Sequence, residues 1–310
     1  MKNSKSMIFS LSIMAMMISV VAPAEVKNRA SLTDGNNSCP KALENIRLRA
    51  EQGDASSQYQ LATCYEHGDG IVNSMTEALV WYKRAAIQGN LNAQFYLGMI
   101  YDFGKSGVVR DDAEAVRWYK LAALQGYETA QVAVGIIYES GKGEVAQDYA
   151  EAARWYTLAA RSGVIYAQLK LGWMYNDGLG VVQNFEESAK WYKLAAAKGA
   201  TDAEFNLALM YSEGKGVLQD YSEAVKWYAR AAAKGIVEAQ SNLGAMYQSG
   251  NGVKKDYIRA HMWFNLAARS GTEEIAKENR DILAAKMTPT QIAEAQKLAR
   301  ECQAREFKGC

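Results

Sequence analysis

Residues 148–163 have the sequence DYAEAARWYTLAARSG, and the chain contains five further versions of this stretch. Each version has a tryptophan followed by a second aromatic residue, then a pair of alanines and a glycine. The tryptophans lie 36 or 37 residues apart, at Trp81, Trp118, Trp155, Trp191, Trp227 and Trp263. Trp173 falls outside this spacing. Self-similarity at a fixed period of this length predicts an array of structural repeats.

Each repeat contains two helical patterns joined by a loop that carries glycines. The first pattern is typified by AQFYLGMIY at residues 93–101, where Leu97 and Tyr101 share one face because they are four residues apart. A Gly-x-Gly loop follows, which is typical of backbone with positive φ. In the second pattern the alanines permit close approach and the aromatic pair fills space between repeats. We therefore expect an all-α fold, an α/α superhelical solenoid of about six two-helix repeats with leading and closing cap helices.

The solenoid is expected to cover residues 39–310. We place the repeats at about 53–89, 90–126, 127–163, 164–199, 200–235 and 236–271. A leading helix precedes them, and residues 272–310 form a C-terminal cap. Its last helix is expected to begin at Thr288, because Thr288 and Gln291 form a capping box around Pro289 at the first helical position.

The first 24 residues have the features of an export signal. Lys2 and Lys5 give a basic start, residues 7–21 are apolar apart from serines, and Ala22-Pro23-Ala24 provides small residues for cleavage. We expect a signal peptide cleaved after Ala24, a flexible linker over residues 25–38, and a periplasmic or secreted protein. The alternative is an uncleaved membrane anchor, although the apolar run is shorter than the roughly 20 residues that span a bilayer.

Composition and charge exclude some classes of partner. The chain has 310 residues, 49% of them hydrophobic and 22% charged, with a formal net charge of +1. No strong electrostatic field results, so we expect no nucleic-acid partner and no binding to an anionic membrane.

Four cysteines lie at the two ends of the chain, and an oxidising compartment would favour disulfides between them. The turn near Gly53 lies midway between Cys39 and Cys64, so antiparallel helices would bring these two level. Cys302 and Cys310 would be about 12 Å apart along a continuous helix, so their bond requires the tail to fold back, with the helix ending near Gly309. We expect the pairs Cys39–Cys64 and Cys302–Cys310. Free or metal-binding thiols are the alternative, which no CxxC motif and no histidine pair favours.

The recurring motif A-x-x-x-L-G-x-x-Y, G-x-G, A-x-x-W-Y-x-x-A-A-x-x-G resembles the Sel-like repeat (SLR) family, which is related to tetratricopeptide repeats. The resemblance covers roughly residues 39–310, with departures such as Ala62 and Ala208 for glycine and Val134 for leucine. It implies a helical superhelix that binds proteins and often scaffolds complexes. It also implies that an exported bacterial member is an adaptor or a factor that interacts with a host.

In tetratricopeptide folds the first helix of each repeat lines the concave face, and we take the matching positions as candidates for partner binding. They are Phe95, Met99, Asp102, Val132, Ile136, Glu139, Tyr166, Leu169, Trp173, Asn176, Phe205 and Leu209. The apolar members form a strip that suits an extended or helical peptide. The alternative is that superhelical curvature buries the strip against adjoining repeats, because apolar residues are more often core than interface.

No constellation in the sequence predicts catalysis. His67 and His261 are far apart, and each is more readily explained as a surface or packing residue than as a base. The segments Ser38–Lys41 (S-x-x-K) and Lys105–Gly107 (K-S-G) match short patterns of penicillin-binding enzymes. A cysteine-rich branch of the same family has been linked to β-lactam binding, but its cysteine pair in each repeat is missing here. We expect no enzyme, no catalytic residue, no cofactor and no metal, with β-lactamase-like activity as an alternative.

A third hypothesis is binding of peptidoglycan or another envelope glycan, with Trp173, Phe95 and Tyr166 stacking on sugars. The leading hypothesis remains an exported, non-enzymatic adaptor that binds a protein or peptide, with no membrane span after signal cleavage.

Overall fold

The computed structural model describes residues 39–269, 274–307 and 309–310. Within these residues the chain forms fifteen α-helices and one short 3-10 helix, Lys105–Gly107, and no strand. The predicted signal peptide (1–24) and linker (25–38) lie outside the described residues. The all-α solenoid predicted from the sequence is confirmed, since consecutive helices pair throughout each of two compact units.

The first unit, Met1–Val164, contains a leading helix and three helix pairs. Its helices are α1 (Cys39–Glu51), α2 (Ala55–His67), α3 (Met75–Ile87), α4 (Leu91–Phe103), α5 (Asp112–Leu124), α6 (Glu128–Ser140) and α7 (Tyr149–Arg161). The pairs are α2 with α3, α4 with α5, and α6 with α7, and α1 packs on α2. Neighbouring pairs are joined by contacts of α3 with α4 and of α5 with α6.

The second unit, Ile165–Cys310, contains three further pairs and the C-terminal cap. Its helices are α8 (Ile165–Asp177), α9 (Phe185–Ala197), α10 (Thr201–Glu213), α11 (Tyr221–Ala232), α12 (Val237–Ser249), α13 (Tyr257–Ala268), α14 (Glu274–Ala284) and α15 (Pro289–Ala304). Both α14 and α15 pack on α13, so together they cover the last repeat. The capping box of Thr288 and Gln291 forms at the start of α15 as expected.

Helix ends follow from the residues found there. A short polar side chain precedes each second helix and accepts a hydrogen bond from a backbone N–H of the first turn. These N-caps are Ser74, Asp111, Asp148, Asn184, Asp220 and Asp256. First helices end at a left-handed glycine, such as Gly141 with φ of 64°. The second loop glycine has a different role, because a Cβ added at Gly216 would overlap the backbone of Phe185 in the preceding repeat.

The second aromatic residue of each Trp-Tyr pair forms the centre of its repeat. These residues are almost completely buried: Tyr82, Tyr119, Tyr156, Tyr192, Tyr228 and Phe264. In four of the six repeats a glycine in the facing first helix makes room for the ring. A Cβ added at Gly135 would lie 2.6 Å from Cε1 of Tyr156. The aromatic residues of the repeat motif therefore serve packing.

Both expected cysteine pairs are disulfide-bonded. Cys39–Cys64 joins α1 to α2, with the two Cα atoms 5.8 Å apart. Cys302–Cys310 joins α15 to the tail, with a Cα separation of 5.6 Å. The helix ends at Ala304, earlier than the expected position near Gly309, and the chain turns back through Glu306 and Phe307, which both have positive φ.

Candidate functional site

In the first unit, the apolar candidates for partner binding are buried. The exposed fractions are 5% for Phe95, 8% for Met99, 2% for Val132 and 6% for Ile136. The ring of Phe95 lies 5.5 Å, centroid to centroid, from Tyr119 and meets Tyr127 edge-on at 4.9 Å. These side chains thus pack against the next part of the stack and keep little surface for a partner.

The two acidic candidates of the first unit accept hydrogen bonds from tyrosine hydroxyls. Tyr156 donates its hydroxyl hydrogen to Oε2 of Glu139 at 2.6 Å. Asp102 is 1% exposed, accepts a long hydrogen bond of 3.5 Å from the Tyr119 hydroxyl, and pairs with Lys142. Asp102 is therefore part of a buried polar network rather than the polar rim of a groove.

Glu66 occupies the same position in the first repeat and shows the arrangement most fully. Tyr82 and Tyr96 donate to its two carboxylate oxygens at 2.8 and 2.5 Å, and Lys105 Nζ lies 3.0 Å from Oε1. Burial acts to raise the pKa of Glu66, but the hydrogen bonds from the tyrosines and from Lys105 outweigh it and lower the pKa below its usual value. Glu66 could have been identified from the sequence, because it is an acid five residues after the position of the shared leucine, as Asp102 and Glu139 are.

Repeat four presents aromatic surface around a lysine. Trp173 and Tyr166 are both half-buried. Lys170 Nζ lies 5.1 Å from the centroid of the Trp173 ring and 5.6 Å from that of Tyr166, a distance at which a cation is attracted to the ring face. The lysine is only 7% exposed. Sequence reasoning missed Lys170 because it precedes the shared Leu171 by one residue, outside the positions assigned to the concave face.

Helix α10 contacts α8 and continues this surface. Phe205 and Leu209 are half-buried, and Phe205 lies 6.0 Å from the ring of Tyr228. Asn176 is also half-buried, whereas Leu169 is 7% exposed and belongs to the core. We call the partly exposed set the α8–α10 surface, which consists of Tyr166, Trp173, Asn176, Phe205 and Leu209.

Helix α10 also carries a carboxylate. Asp202, in the first turn of α10, is half-buried, and burial raises its pKa. Its charge also helps to raise the pKa of the buried Tyr192, whose larger cause is burial. Because the pKa of Asp202 is raised in the folded state, its ionised form destabilises the fold at neutral pH.

The histidines and the short patterns that the sequence offered for catalysis have other local roles in the structure. His67 is exposed and donates from Nδ1 to the carbonyl of Thr63 at 2.9 Å, while His261 is 3% exposed. Lys105 of the K-S-G pattern is paired with Glu66, Cys39 of the S-x-x-K pattern is in a disulfide, and Ser38 lies outside the described residues. Over the described ranges, no three His, Cys, Asp or Glu side chains are grouped to hold a metal ion. None of the helices described combines the length and apolar character needed to cross a membrane.

Comparison with known proteins identifies the repeat. The family model of the Sel1 repeat matches residues 55–90, 91–127, 129–164, 165–199, 201–236 and 237–272. The chain belongs to the Sel1-repeat family. Sel1-repeat scaffolds generally mediate protein–protein interaction, and they are generally adaptors rather than enzymes.

Two solved structures share the Sel1-repeat fold with this chain. A Sel1 repeat protein from Oxalobacter formigenes is 29% identical, covers 98% of this chain and 97% of its own, and has a TM-score of 0.64. A protective antigen present in uropathogenic Escherichia coli strains is 33% identical over 87% of this chain, also with a TM-score of 0.64, and the match spans 58% of that antigen.

One curated relative matches over a short stretch. The DAP3-binding cell death enhancer 1 of Rattus norvegicus is 34% identical over 67 residues, which is 22% of this chain and 13% of the rat protein. The match is therefore limited to a short part of each protein.

Proposed function

We propose that this Sel1-repeat protein is an exported, non-enzymatic adaptor that binds a partner protein or peptide through the α8–α10 surface. The observation that supports this is the half-buried Trp173, with Lys170 over its ring, beside half-buried Phe205 and Leu209. Tryptophan residues that keep part of their surface are over-represented among the residues that dominate binding energy at interfaces.

The candidate residues differ in burial between the two units, and this difference limits the proposed binding surface to α8 and α10. The apolar candidates of α4 and α6 are buried and hold the repeats of the first unit together, whereas Trp173, Phe205 and Leu209 of α8 and α10 keep part of their surface. A peptide that binds there would place apolar side chains against Trp173 and Leu209 and polar groups near Asn176 and Asp202. Within the part of the chain that the structure describes, no contact favours the β-lactam or the glycan hypothesis.

Export is part of the proposal. The two disulfides are compatible with an oxidising compartment. N-terminal sequencing of the protein recovered from a periplasmic or culture fraction should begin at Glu25. A protein that retains Met1 in the membrane fraction would contradict cleavage.

Site-specific photo-crosslinking tests the surface without knowledge of the partner. A photoreactive phenylalanine analogue placed at Leu209 should yield a discrete crosslinked product in cells, identified by mass spectrometry. The matched control is the same analogue at Leu218, a leucine of the same repeat that is 91% exposed on a loop. Equal products at the two positions would show that binding is not selective for the α8–α10 surface.

The variant Trp173→Ala completes the test. We expect it to fold, as judged by circular dichroism and thermal unfolding, and to lose the product formed at position 209. A large loss of stability with an unchanged product would instead show that Trp173 serves packing alone. Turnover of nitrocefin by the purified protein would contradict the non-enzymatic assignment.

A further inference from the structure

A cleft lies at the last repeat, between the α12–α13 loop, the first turn of α13 and the start of α15. It has a volume of about 680 Å³ and is lined mainly by basic and aromatic side chains, together with the carboxylate of Asp256. Those that matter here are Tyr247, Lys254, Lys255, Tyr257, Arg259 and Gln291. We call it the α13 cleft. Its size is within the range of ligand sites in proteins.

The last repeat departs from the other five at Arg259, four residues before the tryptophan. All the other repeats have a glutamate there: Glu77, Glu114, Glu151, Glu187 and Glu223. Glu223 pairs with Lys226 along the surface of its own helix. Arg259 instead donates to the Tyr247 hydroxyl at 3.2 Å and lies 3.7 Å from Asp256. The charge at this position is therefore reversed, and the side chain is directed to the cleft.

Lys255 also departs from the commonest residue at its position, where repeat two has Arg110, which pairs with Asp112. In four repeats this position holds an amide whose nitrogen donates to a carbonyl near the end of the first helix, namely Asn73, Gln147, Gln183 and Gln219. Lys255 has no side-chain amide with which to make that hydrogen bond. Its Nζ lies 4.9 Å from the centroid of the Tyr257 ring, which lines the cleft.

Lys254 is the third cation at which the last repeat differs from the others. The other repeats have an apolar residue at this position, of which Leu218 is the example in repeat five. Among the described residues, neither Lys254 nor Lys255 is paired with a carboxylate. A hydrogen bond from Lys255 is the largest cause that lowers the pKa of Tyr257, and the charges of Lys255 and Lys286 add to it. Three cations thus line the cleft against one carboxylate, Asp256, in a chain whose net charge is only +1.

We propose that the α13 cleft binds an acidic peptide segment of a partner protein. Carboxylates of the peptide pair with Lys254, Lys255 and Arg259, and its chain lies against the rings of Tyr247 and Tyr257. A peptide fits better than a single small anion, because the cations are spread along a loop and a helical turn with aromatic rings between them. The cleft is separate from the α8–α10 surface in sequence and chemistry, and the proposal does not rest on the function proposed above.

The test is binding of a fluorescent peptide of alternating Asp and Gly residues to the full chain, followed by fluorescence anisotropy. The variant Lys254→Leu, Lys255→Gln, Arg259→Glu replaces the three residues by those that repeat five has at Leu218, Gln219 and Glu223, so each is compatible with the repeat fold. We expect its dissociation constant to rise at least about tenfold, with a smaller effect at high salt.

The matched control changes the net charge by the same four units elsewhere. The variant Arg154→Glu, Lys190→Gln, Lys226→Gln alters side chains that are 77%, 65% and 67% exposed on other repeats. We expect its affinity for the peptide to change by less than about twofold. Equal weakening in the two triple variants would overturn the proposal, because net charge alone would then explain binding.

Two further arms identify the ligand class. A peptide with Asn in place of Asp should not bind, and equal binding of it would overturn the role of the carboxylates. Vesicles that contain phosphatidylserine should not bind in a way that the cleft variant abolishes, and such binding without peptide binding would assign the cleft to a lipid surface. The variant Trp173→Ala should keep its affinity for the Asp peptide, so failure of the α8–α10 surface and failure of this cleft are distinguishable.

Discussion

The polar partner of each buried tyrosine hydroxyl changes along the chain. In the first three repeats the partner is an acid: Glu66, Asp102 and Glu139. In repeat five it is Ser212, at 3.5 Å from the Tyr228 hydroxyl, and burial raises the pKa of Tyr228 to about 12. In repeat six Phe264 replaces the tyrosine and needs no partner. In repeats one, two, three and five the buried hydroxyl has a polar partner, and in repeat six it is absent, as expected from the cost of leaving a hydroxyl unsatisfied.

Replacement of Glu66 by Gln should reduce stability in a pH-dependent way. The pKa of Glu66 is lowered in the folded state, so its ionised form stabilises the fold above the unfolded pKa of about 4.3. That contribution disappears as the pH falls through the folded pKa. We expect Glu66→Gln to cost about 1–2 kcal/mol in the free energy of unfolding at pH 7, and distinctly less near pH 3. Urea titration at both pH values measures the difference, with Glu44→Gln, at an exposed glutamate, as the control.

Gly135→Ala tests whether the glycine of the first helix is required by the tyrosine ring. Helix propensity alone would make this change stabilising by about 1 kcal/mol. The added Cβ would lie 2.6 Å from Cε1 of the buried Tyr156, and such overpacking costs about 1–3 kcal/mol. We expect net destabilisation in chemical denaturation. In the double variant with Tyr156→Leu the clash is removed, so the two losses should be less than additive, and full additivity would contradict the account.

A glutamate in place of a recurring glutamine shows how a neighbour restores a lost donor. Gln58, Gln94, Gln131 and Gln240 each donate from Nε2 to a carbonyl at the end of the preceding helix. The carboxylate of Glu204 at the same position cannot donate this hydrogen bond. Arg230 donates to the carbonyl of Ala196 instead, and both Arg230 and Lys234 pair with the buried carboxylate at 2.7 and 2.8 Å.

At the scale of helices, the sequence predicted which elements form and how they pair, because the 36- or 37-residue period, the N-cap residues and the loop glycines are local signals. It could not predict which side of α4 and α6 is buried. Phe95 was assigned to a strip that could face a partner, yet it packs on Tyr119 and Tyr127. Contacts of this kind depend on how closely successive helix pairs approach, and the repeat motif does not determine that distance.

The contact of α13 with the C-terminal cap should respond to acid through His261. This histidine is 3% exposed, and its Nδ1 finds no partner among the described residues. Burial and the charge of Arg280 lower its pKa, with Asp281 acting in the opposite direction. The neutral form is therefore favoured in the fold, so its contribution to stability is present above the unfolded pKa of about 6.5 and is lost as the pH falls.

His261→Val, which installs the residue that repeat five has at Val225, should remove this loss. Between pH 7 and pH 5 we expect the wild-type protein to lose more of its unfolding free energy than the variant does. His67→Gln, at the exposed histidine, is the control and should retain the wild-type dependence. An unchanged pH dependence in His261→Val would contradict the assignment to this side chain.

At the scale of the whole molecule, the sequence predicted the family and the class of function but not the location of binding. Repeat motifs record what every repeat shares, whereas recognition depends on positions that differ. Trp173 was visible because it breaks the tryptophan spacing. The cations of the α13 cleft give no such signal, because a lysine or arginine on a loop is an ordinary surface residue unless its repeat is compared with the other five.

A repeat array also predicts that local damage stays local, because each repeat contacts only its neighbours. The disulfide Cys39–Cys64 closes a segment of 25 residues at one end of the chain, and such a bond stabilises by about 3 kcal/mol. We expect the double variant Cys39→Ser, Cys64→Ser to lose hydrogen-exchange protection in α1 and α2 while α10–α13 keep theirs. The double variant Cys302→Ser, Cys310→Ser should show the reciprocal pattern, with the loss confined to α15 and the α13 residues it covers. A uniform loss over both units in either variant would show that the chain unfolds as one cooperative body, and the nearest-neighbour description would then be wrong for this protein.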